Sequence, residues 1–339
     1  MLALQALTPE RLATAVPGVT LAEARKLVAR VHRGEPIAAT SAIRRSAADA
    51  VRACGHVPAL DVVSETPSQI DPFVKYLLAA PDGARFETVR IPLEHPERFS
   101  VCVSSQVGCA LACSFCATGR LGLSRNLAAW EIVEQVRVVR ARLPHGRVHG
   151  VVFQGMGEPL ANLDEVLAAI AVMSEPCALG IDARAITVCT AGLPVGIRRL
   201  AREAPNVRLG ISIHSAVRER RKSLMPIARA HDLDDVLAAA AEHAALTGLS
   251  PMWAITLLAG VNDSDDDARA LAARARAFEE QTGRRPRLSV IPYNAIGADD
   301  PYQRSPREAE FRAALGLPSH RRYSGGSDVG AACGQLALR

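Results

Sequence analysis

Between residues 101 and 292 the sequence alternates between short apolar runs and longer segments in which apolar residues recur with a helical period. Leu163, Val166, Leu167 and Ile170, for example, share one helix face. Such alternation predicts an α/β fold with a parallel sheet covered by helices. Six strands can be counted, fewer than the eight of a closed barrel, so we expect an open six-stranded (β/α)6 partial TIM barrel. The expected strands are 101–104, 148–154, 185–190, 207–214, 252–258 and 288–292.

The first 84 residues have a different character. Thr8, followed by Pro9, marks a helix start, and Thr20 with Glu23 fits a capping box ahead of a second helix. Several prolines interrupt the rest of this region. We therefore predict a small helical module over residues 1–84 and a core domain over residues 85–339, which begins with two short strands at 86–91 and 99–103.

Composition argues against a membrane protein but does not identify a function. No apolar run approaches the roughly 20 residues of a membrane-spanning helix, and no basic region followed by an apolar stretch opens the chain. We expect a cytoplasmic protein without a membrane partner. The net charge of +5 permits nucleic-acid binding, but aromatic residues make up only 4% of the chain, which argues against a broad base-stacking platform.

Four of the eight cysteines lie between residues 102 and 116. Cys109, Cys113 and Cys116 form a C-x3-C-x2-C pattern directly after the first expected strand. Three thiolates so close in sequence can hold a soft metal centre. A zinc site requires a fourth ligand, for which Cys102 is the nearest cysteine, whereas an iron–sulfur cluster on three thiolates leaves one iron open. The pattern alone is also compatible with zinc bound through a distant ligand, or with three small buried residues.

The longer run VCVSSQVGCALACSFC, residues 101–116, resembles the cluster loop of the RlmN/Cfr family of RNA adenosine methyltransferases, within the radical SAM (S-adenosylmethionine) superfamily. The resemblance extends from about residue 85 to the end of the chain. It implies a barrel of radical SAM type, one [4Fe-4S] cluster on Cys109, Cys113 and Cys116, and two SAM molecules per turnover. Further matches occur in family order at 155–159 (GMGEP), 211–215 (ISIHS), 292–294 (PYN) and 331–336 (AACGQL).

The resemblance also implies the residues that contact SAM. All of them lie at or just beyond the expected C-terminal ends of strands, where α/β barrels place their sites. Cys189 departs from the family, which usually has serine there, and a thiol is a weaker hydrogen-bond partner than a hydroxyl. Taken singly, a G-x-G turn or a strand-end histidine is as readily structural. The implied contacts are Gly157, Glu158, Cys189, Ser212, Ile213, His214 and Asn294.

Three further residues receive catalytic roles through the resemblance. Cys333 is the implied methyl carrier, which takes a methyl group from one SAM and delivers its carbon to adenine after a second SAM yields a radical. Glu87 is the implied acceptor of the ring proton, and Cys102 the thiol that attacks the Cys333 sulfur and releases the RNA. Considered alone, Glu87 would be a surface residue and Cys102 a strand-core residue. Cys54 and Cys177 match no motif and are expected to be structural.

The implied substrate is adenosine in RNA. The leading interpretation is methylation of C2 in 23S ribosomal RNA, with transfer RNA as a further substrate. The alternatives are C8 methylation, as in the antibiotic-resistance branch of the family, and an iron–sulfur RNA-binding protein without catalysis. The implied electron donor is a flavodoxin or ferredoxin, and we expect a monomer whose N-terminal module contacts RNA. Basic residues predicted to contact phosphate are Arg218, Arg220, Arg221, Lys222, Arg321 and Arg322.

Overall fold

The N-terminal part of the chain is a three-helix unit with its own hydrophobic core. The computed structural model describes residues 1–297 and 299–338. The capping box predicted at Thr20 is present, with reciprocal bonds to Glu23, and Leu12, Leu27 and Val51 pack together in the interior. The unit consists of β1 (Leu2–Ala3), α1 (Pro9–Ala15), α2 (Leu21–Arg33), α3 (Arg45–Cys54) and β2 (Gly55–His56), with a 3₁₀ turn at Leu4–Ala6.

The rest of the chain is built on a ten-stranded mixed sheet. The strands that follow are β3 (Asp61–Pro67), β4 (Val74–Ala79), β5 (Arg85–Pro92), β6 (Arg98–Val103), β7 (Gln106–Gly108), β8 (Leu123–Asn126), β9 (Arg147–Phe153), β10 (Ile186–Thr190), β11 (Arg208–Ser212), β12 (Met252–Leu257), β13 (Arg287–Pro292) and β14 (Ser319–Arg321). The strands β7 and β8 pair separately, and the other ten form the main sheet in the order β14-β13-β12-β11-β10-β9-β6-β5-β4-β3.

Helices follow the parallel strands, as the sequence predicted. They are α4 (Ala117–Arg120), α5 (Ala129–Ala141), α6 (Leu163–Ser174), α7 (Pro194–Glu203), α8 (Arg218–Leu224), α9 (Leu233–Thr247), α10 (Asp265–Thr282) and α11 (Glu308–Leu315). Short 3₁₀ turns lie at Pro159–Asn162, Ala183–Ala185, Pro226–Arg229 and Ser327–Val329. Among the described residues, no helix is both long and apolar enough to cross a membrane.

The six expected strands correspond to β6 and β9–β13, which pair in parallel with one another. The sheet is open, because β14 and β3 stand at its two ends. The predicted α/β architecture with an open six-stranded β/α core is confirmed. The three-residue strand β14 adds a further parallel neighbour to β13; it is too short and too exposed to produce an apolar run.

The prediction that residues 1–84 are helical was wrong for their second half. Strands β3 and β4 fall in this range and extend the main sheet through antiparallel pairing with β5. The prolines that suggested loops are compatible with β3 because it is an edge strand, where the missing N–H costs no ladder bond. The helical unit therefore ends near residue 56, and the antiparallel strands connect it to the parallel core.

Candidate active site

The loop between β6 and α5 brings three cysteines to the C-terminal edge of the parallel strands. It turns sharply at Gly108, whose φ is 79° and where a Cβ would lie 1.9 Å from the Gly122 carbonyl oxygen. The Cys109 amide donates to that same oxygen at 2.8 Å. Ala112 also has a positive φ, of 51°. This tight path leaves Cys109, Cys113 and Cys116 lining one cavity.

The environment of these three thiols fits a group that stabilises thiolates. Burial raises the pKa of Cys109 to about 11. It also raises the pKa values of Cys113 and Cys116, and the neighbouring sulfurs raise that of Cys113 further. Within the described residues, no group of three or more His, Cys, Asp or Glu side chains is arranged to hold a single metal ion. An iron–sulfur cluster, which binds thiolates on separate iron atoms, fits this donor set.

The turn after β9 forms the next wall of the cavity. Gly157 has a φ of 101°, and a Cβ there would lie 2.6 Å from the Gln106 side chain, so only glycine fits. Glu158 lines the cavity and accepts from the amides of Leu160 at 3.0 Å and Ala191 at 2.8 Å. Burial raises the pKa of Glu158. The fixed carboxylate is suited to an ammonium group, which would compensate its buried charge.

Ser212 and His214, at the end of β11, also line the cavity. His214 has a φ of 56°, and its ring lies 4.5 Å from that of Phe115 in the cysteine loop. Burial lowers the His214 pKa to about 3, with a smaller effect from Arg221, so the ring is neutral at physiological pH. Its Nδ1 accepts from the Thr256 amide at 3.1 Å. The proton of the neutral ring therefore resides on Nε2, which can donate to a ligand.

Two of the expected SAM contacts lie outside the described cavity lining. Ile213 is buried, and its amide donates to the Ala254 carbonyl at 3.0 Å. Asn294 donates through Nδ2 to Ser324 Oγ at 2.9 Å and to the Cys333 carbonyl at 3.3 Å. Asn294 therefore contacts the segment that carries Cys333.

Three more cysteines line the same cavity. Cys102, Cys189 and Cys333 all line it, although they are far apart in sequence. Gln154 bridges two of them, since its Nε2 donates to Cys333 Sγ at 3.3 Å and its Oε1 lies 3.8 Å from Cys189 Sγ. Burial raises the pKa of Cys102 to about 12, and proximity to Cys333 contributes to this rise. Cys102 is on β6 and lines this cavity, so the strand-core alternative was wrong.

Two further residues belong to the site. Gln154 was not identified from the sequence, and Arg322 was assigned to phosphate contact. Arg322, predicted to contact phosphate, lines the cavity and is the only lysine or arginine among the described lining residues. Its Nη1 is buried and has no hydrogen-bond partner among the described residues. The cation lowers the pKa values of Cys102, Cys189 and Cys333, opposing the effect of burial. Gln154 directly follows β9, a position where the strand-end rule could have identified it.

Glu87 is neither at the surface nor among the residues that line the cavity. Its side chain is 0% exposed, and Oε1 lies 3.0 Å from Lys75 Nζ. Its Oε2 accepts from the amides of Ala337 at 2.8 Å and Leu338 at 3.1 Å. The surface alternative for Glu87 was therefore wrong, and the structure connects this carboxylate to the Cys333 segment.

The basic run after β11 is not a free cationic surface. Arg221 is 1% exposed and donates to the Ala191 carbonyl at 2.7 Å, so it cannot reach phosphate. Arg218 and Arg220 form ion pairs with Asp232 and Asp267. The phosphate-contact prediction was wrong for Arg221.

Cys54 and Cys177, expected to be structural, pack against the N-terminal core.

Comparisons with known proteins agree with this geometry. The radical SAM superfamily model matches residues 103–273. A probable RNA methyltransferase of Sorangium cellulosum is 57% identical, over 97% of this chain and 90% of its own length. A probable dual-specificity RNA methyltransferase RlmN of Synechocystis is 44% identical, over 77% of this chain and 73% of its own length.

A solved structure extends the match to the whole fold. The crystal structure of a radical SAM methyltransferase from Sphaerobacter thermophilus is 35% identical, covers 100% of both chains and superposes with a TM-score of 0.87. The matches include the cysteine loop and the strand ends that build the cavity. The chain therefore belongs to the radical SAM superfamily, within its RlmN-like methyltransferases.

Proposed function

We propose that this enzyme methylates C2 of an adenosine in 23S ribosomal RNA, with transfer RNA as a further substrate, through a methyl group carried on Cys333. The observation that carries the proposal is the meeting of two thiol groups in one cavity. Cys109, Cys113 and Cys116 line the same cavity as Cys102 and Cys333. A protein that only bound RNA through an iron–sulfur site would not need the second group. The names of the relatives support an RNA substrate.

In this proposal Cys109, Cys113 and Cys116 hold a [4Fe-4S] cluster, and Glu158 with the backbone at Gly157 holds the amino group of SAM. Cys189, Ser212, Ile213, His214 and Asn294 remain the other proposed SAM contacts, Ile213 through its backbone. When bound, the cluster supplies the electron that cleaves SAM and generates a radical. Because C2 of adenine is electron-poor, it cannot attack the methyl group of SAM as a nucleophile.

The chain's own groups perform the remaining steps. Cys333 Sγ attacks the methyl carbon of SAM as a thiolate, and the sulfonium leaves as a neutral thioether. After carbon transfer to the base, Glu87 accepts the ring proton. Cys102 then attacks Cys333 Sγ as a thiolate, and the Cys102–Cys333 disulfide forms as the bond between Cys333 Sγ and the transferred carbon breaks. That carbon leaves with the electron pair and takes up a proton, which completes the methyl group of the RNA product. Because Glu87 is covered by residues 337–338, this segment must move before Glu87 can reach the base.

An exposed aromatic ring lies where an RNA base would enter. Tyr323 is 69% exposed, yet it also lines the cavity. Unstacked bases commonly stack on such rings, and Tyr323 is held by a 2.9 Å bond from its hydroxyl to Asp71. We propose that the flipped adenosine stacks on the Tyr323 ring.

The proposal also includes a flavodoxin or ferredoxin as electron donor, a monomeric enzyme and a cytoplasmic location.

The test is mass spectrometry of nucleosides from RNA treated with the anaerobically reconstituted enzyme, SAM and a reductant. We choose C2 because it is the housekeeping reaction of the family, while the site residues are common to both regiochemistries. We expect 2-methyladenosine. A peak of 8-methyladenosine would replace the C2 assignment by C8, and the absence of both from ribosomal and transfer RNA would refute the proposed substrate.

Replacing Arg322 by glutamine is expected to slow methylation of Cys333. Burial raises the Cys333 pKa and Arg322 lowers it, so loss of the cation raises the pKa further. Less thiolate is then present near neutral pH, and the pH–rate profile moves to higher pH. The rate near neutral pH falls about tenfold for every unit by which the pKa rises. The measurement is single-turnover transfer of labelled methyl from SAM to Cys333 across a pH series.

The matched control is Arg321→Gln. Arg321 is exposed and pairs with Glu308 at 3.3 Å, away from the thiols. We expect its profile to overlay that of the wild type. An Arg322→Gln profile that also overlays the wild type would show that Arg322 does not tune Cys333.

A further inference from the structure

Hydrogen bonds to its backbone hold the segment that carries Cys333 at the cavity. We call residues 324–338 the carrier segment. On one side the cysteine loop contacts it, since the Ala117 amide donates to the Gly334 carbonyl at 2.8 Å and Thr118 Oγ1 to the Leu336 carbonyl at 2.7 Å. On the other side it meets β4 and β5. The family resemblance had assigned Glu87 on β5 to the reaction, but the sequence did not place β4 near the site.

The contact with β4 and β5 centres on a buried ion pair. Lys75 on β4 is 4% exposed and Glu87 on β5 is 0% exposed, with 3.0 Å between Nζ and Oε1. The second carboxylate oxygen accepts from the amides of Ala337 and Leu338. Lys75 Nζ also approaches the segment at Gly330, where a Cβ would lie 3.5 Å away. The pair therefore bonds to the carrier segment after Cys333 and approaches it before Cys333.

Burial of such an ion pair costs desolvation free energy, which is offset only when each charge has a partner of opposite charge or hydrogen bonds. If the ammonium is removed, the Glu87 carboxylate is left uncompensated in a buried site. Charge-assisted bonds from amides to an ionised carboxylate are stronger than bonds to a neutral group. Anything that reduces the charge on Glu87 therefore weakens its hold on residues 337–338.

We infer that Lys75 and Glu87 form a latch that keeps Cys333 in the cavity, with Lys75 as a positioning residue. The latch is closed when Glu87 holds the two amides. It opens when the carrier segment moves aside, which uncovers Glu87. The importance of this latch for turnover rests on the proposed function, in which Cys333 carries the methyl group and Glu87 accepts a proton. The latch itself is a statement about the position of the carrier segment.

The test compares the reconstituted wild-type enzyme with Lys75→Met and Glu87→Gln variants. Amide hydrogen exchange is followed on peptides that cover residues 330–338, and the alkylation rate of Cys333 by N-ethylmaleimide is followed by mass spectrometry. We expect both variants to exchange and to alkylate roughly tenfold faster, as local opening becomes easier. Lys75→Arg, which keeps the charge, is expected to restore much of the protection.

Lys26→Met is the matched control, because it makes the same chemical change at an exposed site on α2. Its exchange and alkylation should equal those of the wild type. Wild-type protection of residues 330–338 in either folded variant, Lys75→Met or Glu87→Gln, overturns the latch. If Lys75→Met does not fold, the near-isosteric Glu87→Gln variant decides.

The two proposals fail in different ways. If Cys333 is not the methyl carrier, the wild-type enzyme incubated with SAM shows no methylated Cys333 peptide, whatever the exchange data show. If the latch is wrong, methylated Cys333 is still found, but exchange in the carrier segment does not respond to Lys75 or Glu87.

Discussion

Replacing Cys333 by alanine is expected to abolish RNA methylation while leaving the fold and the cluster intact. The variant lacks the only group that we propose to form a bond to the transferred carbon, and removal of a catalytic nucleophile commonly costs roughly a thousandfold or more in rate. Cys333 is only partly buried, in a terminal loop, so the substitution should disturb packing little. The measurement is transfer of labelled methyl from SAM to RNA, together with label retained on the protein.

Cys102→Ala is the informative companion to this variant. It should still accept a methyl group on Cys333, but without the resolving thiol it should accumulate a covalent protein–RNA adduct that denaturing gels and mass spectrometry can detect. Cys333→Ala should form no such adduct. An active Cys333→Ala enzyme would contradict the carrier role, and rapid release of product by Cys102→Ala would transfer the resolving role to another thiol, with Cys189 the neighbour to test next.

Cys113→Ala is expected to lose the cluster and all radical chemistry. Cys113 lies between two other thiols, and its pKa is raised by burial and by both neighbours, so the three sulfurs need the same cationic centre. With two thiolates left, iron and sulfide should fall from about four each per chain to near zero, and the absorption and EPR signals of the cluster should disappear with them.

The control is Cys177→Ala, because Cys177 packs against the N-terminal core. It should retain the full iron content and activity. If Cys113→Ala retained a stoichiometric cluster, another side chain would have to be the third ligand, and the assignment of the C-x3-C-x2-C pattern would be wrong.

The parallel half of the fold was predictable from local pattern. Buried strands such as β12, with the sequence MWAITL, give predominantly apolar runs, and the helices between the strands show a 3.6-residue period. The cysteine spacing likewise predicted a loop with three neighbouring thiols, and the resemblance to the RlmN/Cfr family implied that these thiols hold a cluster. The antiparallel strands were not predictable in this way. Strand β3 is an edge strand with little burial, and the prolines around it suggested loops.

The surroundings of Cys102, Cys189 and Cys333 could not be predicted from local sequence pattern. Sequence resemblance assigned Cys102 and Cys333, but no local pattern places Gln154 between Cys189 and Cys333. The basic run at 218–222 shows the opposite error, because charge density alone does not reveal that Arg221 is buried or that Arg220 is paired. Partners from distant elements decide whether a charge is available.

By itself, the sequence determined the parallel β/α core, the loop with three cysteines and the strand-end position of the site, because each depends on residues close in the chain. The tertiary structure alone decided what surrounds Cys333. The Lys75–Glu87 pair, the bridging Gln154 and the Arg322 cation come from separate strands and loops. Arg322 and Gln154 act on the Cys333 thiol through charge and a hydrogen bond at short range, whereas Glu87 contacts the backbone of residues 337–338. All of these contacts are properties of the folded packing.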